Sequence, residues 1–119
     1  MHQQATRLRV RESDGVLHVG FIDHSILDDD TVDQIREELV RLIDGADRPR
    51  LVLSFADVEH LSSTLLGALI GIHNRIRARQ GQFRLAEIGP RIRPIFTVTQ
   101  LDTLFQIHDS AQAATASIT

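Results

Sequence analysis

No cysteine, tryptophan, tyrosine or lysine occurs in the 119 residues. Without cysteine the chain has no disulfide, no thiol nucleophile and no thiolate metal site, and it fits a reducing compartment. With five phenylalanines as its only aromatics, the core has to be built from Leu, Ile, Val and Ala. The longest apolar stretch, Leu65 to Ile72, is far short of the roughly 20 residues that cross a bilayer. The opening MHQQATRLRV has no apolar h-region of the kind a signal peptide needs. The expectation is a cytoplasmic protein with no membrane span. A net charge of −3 gives no footing for general affinity to nucleic acid.

What is present reads as one globular domain over residues 1–119, with its core at about 6–118: 42% of residues are hydrophobic and 24% charged, against disorder. Thr6 to Glu12 alternates polar and apolar, Ser13-Asp14-Gly15 signals a turn, and Val16 to Ile22 returns, so the spacing predicts a β-hairpin. Asp28 to Thr31 offers an N-cap and negative charge for a helix. Val32, Ile35, Leu39, Leu42 and Ile43 form its apolar stripe, and Gly45 and Pro49 stop it. Arg50 to Phe55 is a buried strand. A helix follows from about Thr64 to Gln80, then a strand at Phe83 to Ile88. A short helix opens at Gly89-Pro90, with proline in its first turn. Leu104 to Ile107 is a last strand, and Asp109-Ser110 caps a closing Ala-rich helix. The order is β-β-α-β-α-β-α-β-α, an α/β layer with a largely parallel, mixed sheet and an antiparallel hairpin edge.

Charge is unevenly placed along this order. Nine acids between Asp23 and Asp47 stand against Arg36 and Arg41, and six arginines between Arg75 and Arg93 stand against Glu87. Such runs are usually solvated, so they read as two exposed helix faces of opposite sign.

The chemistry concentrates where strands hand over to helices. The loops Asp23–Asp30 and Asp57–Thr64 leave the same end of the sheet, which brings Asp23, His24, Asp57, Glu59, His60, Ser62, Ser63 and Thr64 into one neighbourhood. One of the three hydroxyls caps the following helix; three exceed what capping requires. A hydrolase nucleophile elbow needs glycines where Leu61 and Leu65 stand. No glycine-rich phosphate loop occurs. The pairs Asp57/His60 and His108/Asp109 lack the specificity of a metal site, and His73 reads as a helix-surface or half-buried histidine rather than a phospho-acceptor. No catalytic residue, metal or cofactor is expected. A serine at a helix N-terminus is, by contrast, a good phosphorylation site, because backbone N–H groups and the helix dipole stabilise the added charge. Beside Asp23, Asp57 and Glu59, a phosphate there would repel a docked partner.

The residues resemble the STAS domain (sulfate transporter and anti-sigma factor antagonist), and particularly the stand-alone bacterial anti-sigma factor antagonists. Three stretches carry the resemblance: Gly20-Phe21-Ile22-Asp23; Val58-Glu59-His60-Leu61-Ser62-Ser63-Thr64-Leu65-Leu66-Gly67-Ala68-Leu69; and Gly81 to Leu85 with Pro90 to Ile107. The resemblance implies the STAS fold, with a four- or five-stranded sheet and four helices. It also implies a non-enzymatic partner-binding role in transcription regulation: docking an anti-sigma factor that is often a serine kinase, with release by phosphorylation. By position the acceptor is Ser63, with Ser62 and Thr64 as alternatives. The hairpin-end acid it implies in partner contact is Asp23; joined to the loop residues read above, the expected contact surface is Asp23, His24, Asp57, Glu59, His60, Ser62, Ser63, Thr64 and Leu65. Ser62 stands where the family carries Asp, and Leu65 where it carries Gly. The alternative reading is an unswitched STAS scaffold in a stressosome-like or lipid-transport complex. In either role the exposed hairpin edge permits a monomer or a weak homodimer.

Overall fold

The computed structural model describes residues 6–118; residues 1–5 and 119, which the sequence reading includes in the domain, lie outside the described residues. The elements are β1 (Leu8–Ser13), β2 (Val16–Phe21), β3 (Ser25–Ile26), α1 (Asp29–Asp44), β4 (Arg50–Ser54), β5 (His60–Leu61), α2 (Ser63–Ala78), β6 (Gln82–Ala86), α3 (Arg93–Val98), α4 (Leu101–Leu104), β7 (Gln106–His108) and α5 (Ala111–Ala116). The main sheet runs β1-β2-β4-β6-β7, and β3 and β5 form a separate two-stranded pair. β1 and β2 are antiparallel, and the other pairings are parallel. The expected α/β fold with a mixed sheet of four to five strands forms, with five. Among the described residues, no helix is long and apolar enough to cross a membrane.

The two faces of the sheet are covered unequally. Val19, Phe21, Leu51, Leu53, Phe83 and Leu85 point to one face, where α1 brings Val32, Ile35, Leu39 and Ile43 and α2 brings Leu65, Leu66, Leu69, Ile72 and Ile76. Fully burying one such side chain stabilises by about 1.5–3 kcal/mol, so this face carries the fold. On the other face a smaller cluster joins Val16, Val52 and Ala86 to Ala114 of α5. All five phenylalanines line up through the larger core: Phe21–Phe55 at 5.1 Å between ring centroids, Phe55–Phe96 at 5.9 Å, Phe96–Phe105 at 6.5 Å and Phe83–Phe105 at 6.0 Å.

Two expectations shift in detail. The helix expected to open at Pro90 begins at Arg93 with Pro94 in its first turn. A helix started at Pro90 would put Pro94 in its interior, where it removes a backbone hydrogen bond and clashes with the preceding turn. The last strand starts at Gln106 instead of Leu104, because Gln100 adopts a left-handed φ of 61° that restarts the chain as the short helix α4. The acidic and basic runs are not wholly independent faces either. Arg75 on α2 donates to both carboxylate oxygens of Asp44 on α1, at 2.9 and 2.7 Å.

The connection from α2 into β6 passes tightly against the one from α1 into β4. A Cβ at Gly81 would lie 2.2 Å from the Pro49 carbonyl oxygen, whereas one at Gly67 meets nothing within 4 Å. Gly81→Ala is therefore expected to destabilise by about 3 kcal/mol, the upper part of the overpacking range. Gly67→Ala, on the exposed helix surface, should stabilise by about 0.5–1 kcal/mol. Urea unfolding of both variants checks the contrast.

His73 packs edge-on against Phe105 at 5.6 Å, and burial, then Arg77, hold its pKa below the ordinary imidazole value. His18 is lowered in the same way by burial and then Arg11. The unfolded chain takes up these protons near pH ~6.5 and the folded chain only at lower pH. The stability they contribute is thus complete above that pH and falls as pH drops below it. The urea midpoint should decline from about pH 7.5 to about pH 5.5, and decline less in His73→Gln.

Candidate functional site at the start of α2

Both loops read from the sequence leave the carboxyl-end edge of the parallel strands, and β3 and β5 lock them together. Ser25 pairs with His60 and Ile26 with Leu61. The His24 carbonyl accepts from the Glu59 N–H at 2.7 Å and from the His60 N–H at 3.2 Å, and the Ile26 carbonyl accepts from the Ser62 N–H at 2.9 Å. The His24 ring adds a bond through Nδ1 to the Asp57 carbonyl oxygen at 2.8 Å, which makes that nitrogen the protonated one. Ile26, 0% exposed, and Leu61, 7% exposed, anchor the pair in the core.

The three hydroxyls are not equivalent. Ser62 is half-buried, has extended backbone (φ −97°, ψ 163°) and is the N-cap of α2; its Oγ accepts from the Leu65 N–H at 3.4 Å. Ser63 and Thr64 are the first two helical residues, and both are exposed. No acid occupies the first turn of α2. Leu65 is 0% exposed and fills the core beneath this turn. Of the expected set it alone turns fully inward, because the apolar stripe of α2 begins there.

The acids surround the turn but are partly neutralised. Arg7 pairs with Asp23 at 3.4 Å, and Arg9 with Asp57 at 3.2 Å. Arg9 also donates to the Phe21 carbonyl oxygen at 3.3 Å. Glu59 and His60 are exposed. Asp28 caps α1, accepting from the Thr31 hydroxyl at 2.6 Å and the Thr31 N–H at 2.9 Å. These bonds, the hydroxyl's first, hold its carboxyl below the usual carboxylate range.

Four features of this edge were not read from the sequence. Arg7, just before β1, and Arg9 on β1 reach it, and Ile22 and Leu27 are exposed beside it, by 37% and 59%. A run of apolar residues says nothing about which of its members the fold leaves uncovered. The surface that results is pinned by the β3–β5 bonds, acidic at its rim and apolar in part, with two hydroxyls projecting at a helix N-terminus. Among the described residues no group of three His, Cys, Asp or Glu is gathered as for a metal ion.

Known proteins share this fold. The STAS domain model matches residues 7–114. BtrV of Bordetella bronchiseptica, named provisionally as an anti-sigma factor antagonist, is 28% identical over 85 residues, covering 71% of this chain and 72% of its own length. An anti-sigma-factor antagonist (STAS) domain protein from Planctomyces limnophilus has the same fold, with a TM-score of 0.82 at 23% identity over 92% of this chain and 96% of its own. So does the Bacillus cell fate determinant SpoIIAA, solved in its phosphorylated form, with a TM-score of 0.69 at 17% identity over 92% and 96%. The chain belongs to the STAS domain family.

Proposed function

We propose that this chain is an anti-sigma factor antagonist that docks a kinase-type anti-sigma factor through the edge around the start of α2, and that phosphorylation of Ser63 ends the docking. The observation that carries the reading is the state of the hydroxyls. Ser62 is occupied as a cap, while Ser63 is exposed one residue further on, on a turn pinned by β3 and β5. The names of BtrV and the Planctomyces protein support the partner class. The solved phosphorylated form of SpoIIAA supports a switch in a protein of this fold.

The physics of the switch is electrostatic. Exposed Leu27 and Ile22 supply apolar contact, and Asp23, His24, Asp57, Glu59 and His60 supply a polar rim, as in ordinary interfaces. A phosphate on Ser63 adds about −1.5 to −2 charges. The helix N-terminus tolerates them, at about 0.3–1 kcal/mol of stabilisation, so the fold survives modification. A partner seated on this rim would have to face and desolvate the dianion, and like-charge juxtaposition costs several kcal/mol. The role asks no catalysis of this chain and belongs in the cytoplasm, where sigma factors act. The open β1 edge carries Arg9 and Arg11, whose charges oppose edge-to-edge pairing and favour the monomer.

Incubation with the kinase-type anti-sigma factor encoded nearest this chain, followed by mass spectrometry, should locate phosphate on Ser63. Complex formation without phosphate on residues 62–64 overturns the switch and leaves the unswitched scaffold. Ser63→Asp should weaken binding about a hundredfold or more, and Ser63→Ala should preserve it. Ser62→Ala, which removes the cap, should cost about 1 kcal/mol in thermal stability, a cost that Ser63→Ala does not incur.

A further inference from the structure

The face of the sheet turned away from α1 and α2 is half open. α5 packs on β4, β6 and β7, and its Ala114 clusters with Val16 at the start of β2; Arg9 and Arg11 on β1 stay exposed. Strand register orders the side chains on this face in two rows: Arg9, Gly20, Ser54, Ala86, His108, and Arg11, His18, Val52, Arg84, Gln106. Where the rows leave the cover of α5 there is a hollow of about 370 Å³, lined by Arg9, Arg11, His18, Gly20, Val52 and Ala111. That volume lies in the range of small-molecule sites. Its floor is apolar and flat, because Gly20 has no side chain and the space above it is empty: a Cβ there meets nothing within 4 Å. Its rim is cationic.

We propose that this hollow binds a small organic anion, a carboxylate or phosphate on a flat apolar body, with Arg11 and Arg9 holding the charge and Gly20 and Val52 the body. Guanidinium groups match carboxylate and phosphate geometry and also stack on flat rings. Arg11 stands directly across from His18 in the register. The His18 Nδ1 is buried without a hydrogen-bond partner, as is the His108 Nε2 further along this face, and such a group is unfavourable. An anion beside Arg11 relieves the repulsion that Arg11 exerts on a protonated His18. The other charged groups of the surroundings are Arg9 on β1, Arg84 on β6 and Glu87, which accepts from the Ser54 hydroxyl; α5 carries no charge.

Arg9 is shared with the edge described above. Its exposed ion pair with Asp57 is of the weak kind, so a ligand in the hollow competes for the same guanidinium. Asp57 also holds His24 through its carbonyl oxygen, and a bound anion therefore reaches the loop that ends at Ser62. This proposal does not depend on phosphorylation or on a sigma-factor partner.

Titration of the full chain with phenyl phosphate, benzoate and inorganic phosphate, followed by amide chemical shifts, tests it. Phenyl phosphate or benzoate should give saturable shifts at Arg11, His18 and Gly20, with a Kd weakened about tenfold or more in Arg11→Gln and in Gly20→Val. Gly20→Val fills the hollow without changing charge, and exposed Arg11 can be replaced without touching the core. Equal binding of inorganic phosphate to wild type and Gly20→Val, with no preference for the ringed anions, would overturn the proposal in favour of a merely basic surface. Absence of saturable shifts overturns it as well. Shifts at these residues that grow with protein concentration in the absence of ligand would assign the face to a second copy of the chain, and also overturn it.

Discussion

A two-residue pairing holds together the edge at the start of α2. β3 and β5 are too short to be stable alone, yet they tie the loop after β2 to the loop before α2. Three backbone bonds, donated by the Glu59, His60 and Ser62 N–H groups to the carbonyls of His24 and Ile26 and each worth about 0.5–1.5 kcal/mol net, fix where α2 begins. Ile26 and Leu61, buried beneath, make the clamp part of the core rather than a surface embellishment. Ser62 follows immediately, its N–H bonded to the Ile26 carbonyl and its Oγ capping the helix. Ser63 is thereby presented outward on a fixed backbone.

The rest of the fold supports that edge from beneath. The larger core, with its line of five phenylalanines, binds α1 and α2 to one face of the sheet. Gly81 allows the two chain connections at the far end to touch. At the near end, Arg7 and Arg9 offset Asp23 and Asp57, so the unmodified rim is less acidic than its composition suggests. A single phosphate then changes the field by more than any one of the exposed acids does.

Much of this was legible in the sequence. The hairpin turn, the stripe of α1 and the apolar β4 are periodic signals that tertiary packing had no reason to override, and Asp28 caps α1 as its position indicates. The neighbourhood of Asp23, His24, Asp57 and the hydroxyls followed from the rule that loops at one end of a parallel sheet converge. The pairing of β3 with β5 was not legible, because two residues carry no periodicity. Nor was the inward turn of Leu65, which depends on where the helix phase starts. The restart at Gln100 was hidden too, since a left-handed φ in a residue other than glycine is imposed by context. Ser62 in place of the family's Asp was visible at once, but its consequence needed coordinates: the hydroxyl is spent on capping.

The central claim is that the edge is rigid and that charge alone switches it. Amide hydrogen exchange at Glu59, His60 and Ser62, compared between the unmodified chain and one carrying phosphoserine at position 63, tests this most directly. The account predicts unchanged protection of these three amides in a form that no longer binds its partner. Loss of their protection on phosphorylation would show that the switch works by opening the β3–β5 clamp, and would contradict it.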